Sequence, residues 1–89
     1  MNAFAKKLGK YLKEKRLAVE LSQAEVAKKL GYNSAQYISN FERGLCMPPL
    51  KKLRKLILMY NIEPKIVYDM MLKAQERELS KIILNKKIS

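Results

Sequence analysis

Residues 22–31 read SQAEVAKKLG, and this stretch carries the strongest helix signals in the chain. Ser22 and Glu25 have the S-x-x-E spacing of a capping box, in which each side chain accepts a hydrogen bond from a backbone N–H at the start of a helix. Gly31 follows the last apolar residue and, lacking a Cβ, suits the left-handed turn that ends many helices. The sequence therefore predicts a helix over about residues 22–30.

A first helix is predicted before this stretch and a short third helix after it. Four apolar residues recur at the three-to-four spacing of an amphipathic helix that reaches about Arg16; they are Phe4, Leu8, Tyr11 and Leu12. Beyond Gly31, Ser34 is expected to cap a helix over about residues 35–43, which Gly44 ends. These two helices flank the helix predicted over residues 22–30.

Prolines mark the starts of two more helices. The pair at 48–49 precedes a fourth helix that ends near Asn61, since proline is tolerated in a first helical turn. Pro64 begins a fifth helix, which has no internal proline or glycine and carries an apolar stripe. No strand is predicted, so the expected fold class is all-α.

Charge and composition limit the functions that the chain can have. One domain is expected at 89 residues, and its 19 basic and 8 acidic residues give a net charge of +11. Such a surface attracts nucleic acid, although a solvated basic surface without a polyanionic ligand is the alternative. With no histidine and one cysteine, Cys46, the chain lacks the usual zinc and catalytic residue sets. We therefore expect no enzymatic activity, no metal and no cofactor.

The N-terminal segment bears on localisation. Lysines are scattered through it, at positions 6, 7, 10 and 13, so neither the apolar region of a signal peptide nor a membrane span is predicted. We expect a soluble, cytoplasmic protein that does not interact with membranes.

Two segments resemble a known family. Residues 21–31 (LSQAEVAKKLG), residues 38–44 (ISNFERG) and Pro48 are similar to the lambda-repressor/Cro-like (XRE family) helix-turn-helix domain. The resemblance implies a five-helix DNA-binding domain over residues 1–68, with residues 69–89 extending the fifth helix. The chain departs from the family pattern in one place. Six residues, 32–37, separate Gly31 from the Ile-Ser pair at 38–39, one more than is commonest in the family.

The third helix is the expected recognition helix. Its spacing places Ile38 and Phe41 in the core and turns a polar face outward. The resemblance places DNA base contacts on that outward side, at Ala35, Gln36, Tyr37 and Asn40. Glutamine and asparagine pair with an adenine edge in the major groove, and Ala35 or Tyr37 suits a thymine methyl group. An ordinary solvated polar face is the alternative.

Phosphate contacts are expected around this helix. The resemblance suggests Gln23, at the positive end of the second helix, and basic residues near the third; the full set is Gln23, Ser34, Arg43, Lys51 and Lys52. For the lysines, solvated charge is the alternative. Arg16 and Glu42 match a family pair that forms a partly buried salt bridge, so we interpret both as structural.

The fifth helix suggests a partner. The resemblance to the family ends near residue 68, but apolar residues continue along the fifth helix beyond it, at Leu72, Leu79, Ile82 and Ile83. Pairing of two copies is the favoured interpretation, because palindromic operators require a dimer. The alternative is that this helix folds back over its own domain.

Together these features predict a sequence-specific regulator of transcription, most simply a repressor. Two other functions stay open. An antitoxin-type protein would bind a toxin through the fifth helix and regulate its own gene. The other is binding of RNA, or of any nucleic acid, through net charge alone. Against it, the sequence lacks the paired exposed aromatic residues on strands that usually bind single-stranded nucleic acid.

Overall fold

The computed structural model describes residues 3–85, in which every regular element is an α-helix. The five helices are α1 (Ala3–Ala18), α2 (Gln23–Lys29), α3 (Gln36–Glu42), α4 (Leu50–Met59) and α5 (Pro64–Ile83). The expected all-α fold of five helices with a long last helix is confirmed. The predicted extension includes residues 86–89, which lie outside the described residues, as do residues 1 and 2.

The core lies where the apolar faces of α1 to α4 meet the first turns of α5. Its members are almost fully buried side chains from every helix, among them Leu8, Leu12, Val26, Leu30, Ile38, Phe41, Leu53, Leu56 and Val67. Burying one such side chain stabilises the fold by about 1.5–3 kcal/mol. Because α3 packs against both α1 and α2, it is held on two sides and has one face left for solvent.

The start of α2 forms as its sequence predicts. Ser22 Oγ accepts a hydrogen bond from the Glu25 N–H at 3.0 Å, and Glu25 Oε1 accepts one from the Ser22 N–H at 2.9 Å. These bonds to Ser22 lower the pKa of Glu25. The reciprocal capping box fixes where α2 begins and therefore where its partner α3 can pack.

Helices α1 to α4 all end in the Schellman motif. In each, one residue after the cap has a positive φ: Glu20 (58°), Gly31 (83°), Gly44 (74°) and Asn61 (54°). The next N–H then donates to a carbonyl five residues earlier, as from Leu21 to Arg16 and from Tyr32 to Ala27. The sequence predicted three of these ends. It placed the end of α1 too early, near Arg16, because glutamate gives no signal for a left-handed residue.

Glu20 is a strained position, and replacing it with glycine should stabilise the protein. A non-glycine residue in the left-handed region costs about 1–2 kcal/mol, and glycine removes this cost. Part of the gain is offset because glycine also raises the conformational entropy of the unfolded chain. We expect Glu20→Gly to raise the free energy of unfolding by about 0.5–1 kcal/mol. Chemical denaturation of both proteins measures the change.

Glu14 offers a matched control for this experiment. It is also an exposed glutamate, but it lies inside α1, where glycine weakens a helix. Glu14→Gly should therefore lower stability by about 1 kcal/mol. Equal losses at both positions would show that the turn at Glu20 carries no strain.

Only the beginning of α5 belongs to the core. Val67 is 1% exposed, and Met70 and Met71 pack partly against the core cluster. The described chain extends over 47 × 24 × 20 Å, and the residues of the second half of α5 are largely exposed to solvent. No helix within residues 3–85 has the length and apolar character needed to cross a membrane.

Candidate nucleic-acid interface

The outward face of α3 carries a connected set of polar side chains. Asn40 Oδ1 accepts two hydrogen bonds, one from Gln36 Nε2 at 2.8 Å and one from an Arg43 guanidinium nitrogen at 3.0 Å. Gln36 and Arg43 are exposed and Asn40 is half-buried. Because Ile38 and Phe41 anchor the opposite face in the core, α3 presents this trio to solvent in a defined orientation.

The start of α3 differs slightly from the sequence prediction. Helical structure begins at Gln36, one residue later than expected, and the half-buried Ala35 occupies the cap position. Ser34 still contributes, because its Oγ accepts a hydrogen bond from the Gln36 N–H at 3.1 Å. The longer spacing after Gly31 is thus taken up in the turn before the helix. The helix ends at Glu42, one residue before the predicted limit, and Arg43 is its C-cap.

Tyr37 lies on the first turn of α3 and stacks on Tyr32 from the preceding turn. Their ring centroids are 4.3 Å apart and the ring planes differ by 7°. The Tyr32 ring also approaches Phe41 in a tilted arrangement, at 6.1 Å between centroids. Tyr37 remains 45% exposed, so it extends the polar face of α3 with an ordered aromatic ring.

A buried salt bridge ties α1 to the end of α3. Arg16 Nε and a second guanidinium nitrogen lie 2.6 and 3.0 Å from the two carboxylate oxygens of Glu42. Both residues are less than one-tenth exposed. The remaining nitrogen of Arg16 donates to the Leu21 carbonyl oxygen at 2.8 Å. The hydrogen bond to Glu42 raises the pKa of Arg16, while burial opposes that rise.

Gln23 joins this pair, which the sequence did not indicate. Its Nε2 donates to Glu42 Oε1 at 2.9 Å, so the start of α2 is linked to the end of α3. The residue proposed to contact phosphate therefore also holds the two helices of the motif together. A glutamine amide nitrogen carries two hydrogens, and Glu42 accepts one of them.

The predicted basic contacts fall into two groups. Arg43 is the C-cap of α3, Lys51 lies in the first turn of α4, and both are exposed. Lys52 is half-buried instead, and its ammonium donates to the Leu30 carbonyl oxygen at 2.5 Å and lies 5.1 Å from the centre of the Tyr32 ring. Lys52 thus stabilises the end of α2, a role that its place in a lysine pair did not suggest.

Gly9 is a further residue that the sequence analysis missed. A Cβ built on Gly9 would lie 2.3 Å from the Phe41 carbonyl oxygen and 2.7 Å from that of Glu42. Only glycine lets α1 approach the backbone of α3 this closely. A single glycine inside an amphipathic pattern is a weak signal for such an approach, because the pattern does not say which helix crosses it.

Known proteins show the same type of domain. The model of the Helix-turn-helix family matches residues 12–67, which include α2, α3 and α4. The ImmF control region 10 kDa protein of Bacillus phage phi105 is 37% identical over 62 residues, covering 70% of this chain and 68% of that relative. No solved structure matches the chain.

Proposed function

The chain belongs to the XRE-type helix-turn-helix family and is a DNA-binding transcriptional regulator; on this premise we propose that it is a repressor. It would bind a palindromic operator in the cytoplasm as a homodimer and act by occupying the site, with neither enzymatic activity nor a cofactor. The phage relative is named for a control region, and this supports a role in controlling gene expression.

The observation that carries the proposal is the outward face of α3. Its amide groups are those that pair with an adenine edge in the major groove. Their mutual hydrogen bonds through Asn40 hold Gln36 and Arg43 in place before DNA arrives, which lowers the entropy lost on binding. We propose base contacts at Ala35, Gln36, Tyr37 and Asn40.

Residues around this face supply affinity without sequence information. Arg43 and Lys51 are exposed cations that can neutralise phosphates, releasing counterions and making binding depend on salt. Ser34 and Gln23 lie at the starts of α3 and α2, and Gln23 can donate its second amide hydrogen to a phosphate. An ammonium has three donors, so Lys52 can contact a phosphate while it holds Leu30.

The exposed half of α5 supports the dimer. Leu72 and Leu79 are 49% and 46% exposed, and Ile82 and Ile83 are 70% and 68% exposed. Leu72, Leu79 and Ile83 lie on one side of the helix because seven residues make almost two full turns. Paired α5 helices would bury this stripe and fix the separation of two recognition helices, as a palindromic operator requires.

Selection of bound duplexes from a random pool, at two salt concentrations, tests the proposal. The wild type should select an inverted repeat. A Gln36→Ala, Asn40→Ala double variant should lose that preference while it retains salt-dependent binding, because the phosphate contacts remain. Light scattering at micromolar concentration should give the mass of a dimer.

Glu14→Ala is the control, since Glu14 is an exposed polar residue on α1, outside both α3 and the apolar stripe of α5. It should select the same motif as the wild type. The proposal fails if the wild type binds all sequences equally. A single motif without inverted symmetry, together with a monomeric mass, would refute the dimer alone.

A further inference from the structure

The aromatic stack before α3 is held from several sides. The Tyr32 N–H donates to the Ala27 carbonyl oxygen at 2.9 Å, which fixes the backbone of Tyr32 at the end of α2. Lys52, itself bonded to Leu30, lies over the Tyr32 ring, and Phe41 approaches that ring from the core. Tyr32 is thus a half-buried, fixed platform on which the ring of Tyr37 rests.

This platform limits what Tyr37 can do. An exposed tyrosine at the start of a helix would otherwise exchange between staggered rotamers. Nearly parallel rings with centroids 4.3 Å apart favour the one orientation in which they overlap. Tyr37 therefore offers a flat apolar surface of fixed direction beside Gln36, on the face proposed to enter the major groove.

We propose that Tyr32 is a positioning residue that, through this stack, holds Tyr37 against the methyl group of a thymine in the operator. The inference rests on the proposed function, because it needs a sequence-specific DNA site. Thymine is the one base that presents a methyl group in the major groove, and an ordered aromatic ring can bury it. Tyr32 would then influence recognition of a base that it does not touch.

Replacing single thymines of the selected operator with deoxyuridine tests this directly, since the exchange removes the methyl group and keeps the pairing edges. Wild-type affinity should fall about fourfold at one thymine in each half-site, the effect of losing one buried methyl group. Tyr37→Ala and Tyr32→Leu should each bind the two operators equally. The double variant should show no further loss of discrimination.

Three control variants separate positioning from stability. Tyr32→Phe keeps the stacked ring and should keep the fourfold discrimination. Tyr11 is also a half-buried tyrosine that lies beneath a lysine, but it belongs to α1. Tyr11→Leu should therefore keep the fourfold discrimination as well. Tyr37→Phe retains the ring and should also keep the discrimination; its loss in that variant would show that the hydroxyl rather than the ring recognises the base, and would overturn the inference.

Failure of this inference can be distinguished from failure of the proposed function. If the wild type selects a motif but no thymine in it responds to deoxyuridine, or if Tyr32→Leu discriminates as the wild type does, the inference is wrong and the regulator stands. If no motif is selected, the proposed function itself fails.

A measurement on the free wild-type protein covers the case in which Tyr32→Leu does not fold. Three-bond couplings about χ1 of Tyr37 should correspond to one staggered rotamer, because the stack selects it. Couplings averaged over several rotamers would overturn the inference, since a ring that is not held in the free protein has no platform.

Discussion

Replacing Glu42 with alanine should lower the free energy of unfolding by about 3–5 kcal/mol. The substitution leaves the guanidinium of Arg16 buried without its carboxylate, in a place where Arg16 is only 6% exposed. It also removes the acceptor of the Gln23 amide, so the links from α1 and from α2 to the end of α3 are lost together. Domains of this size are marginally stable, and a change this large is a sizeable part of the total.

Chemical denaturation of the variant measures this effect, and two further variants define its origin. Glu42→Gln keeps an acceptor of similar shape but loses the charge, so its loss should be smaller. Glu14→Ala removes an exposed carboxylate from α1 and should change stability by less than about 0.5 kcal/mol. An unchanged thermal midpoint in Glu42→Ala would refute a structural role for the pair.

Replacing Gly9 with alanine should destabilise the protein by about 2–3 kcal/mol, although the same exchange inside most helices stabilises by about 1 kcal/mol. The added Cβ would lie 2.3 Å from the Phe41 carbonyl oxygen, and a backbone atom cannot move aside as a flexible side chain can. Since α1 must shift away from α3, the Arg16–Glu42 contact should lengthen as well.

Thermal unfolding should show a fall of the midpoint of roughly 10 °C or more, since 1 kcal/mol corresponds to about 4–8 °C in a domain of this size. Gly31→Ala is the matched control. A Cβ at Gly31 meets nothing closer than Lys52 Nζ at 3.9 Å, so only its positive φ is unfavourable and a loss of about 1 kcal/mol is expected. A Gly9→Ala variant as stable as the wild type would mean that α1 and α3 are not in close contact.

Much of the helical framework was predictable because its signals are local. The capping box of Ser22 and Glu25 acts across three residues, and Pro64 fixes the first turn of α5 without reference to the rest of the chain. Gly31 and Gly44 end their helices for the same reason, through hydrogen bonds that span five residues. Apolar spacing then identified the buried faces.

The candidate site was predictable as a set of positions and not as a set of contacts. The resemblance and the helical spacing pointed to Gln36 and Asn40 on one face of the recognition helix. Neither indicated that Asn40 accepts from both Gln36 and Arg43, nor that Lys52 turns inward to the end of α2. Lysine side chains are long and flexible, so sequence alone does not decide between solvent and a carbonyl oxygen within reach.

Interactions between near neighbours in the sequence specify the five helices, the limits of α2, α3 and α4 to within about two residues, and the outward face of α3. Three contacts arise only from long-range packing: Gly9 touches the backbone of α3, Gln23 joins the Arg16–Glu42 pair, and Tyr32 supports Tyr37. Those contacts depend on the angle and distance at which whole helices and turns meet, and packing of the shared core sets both.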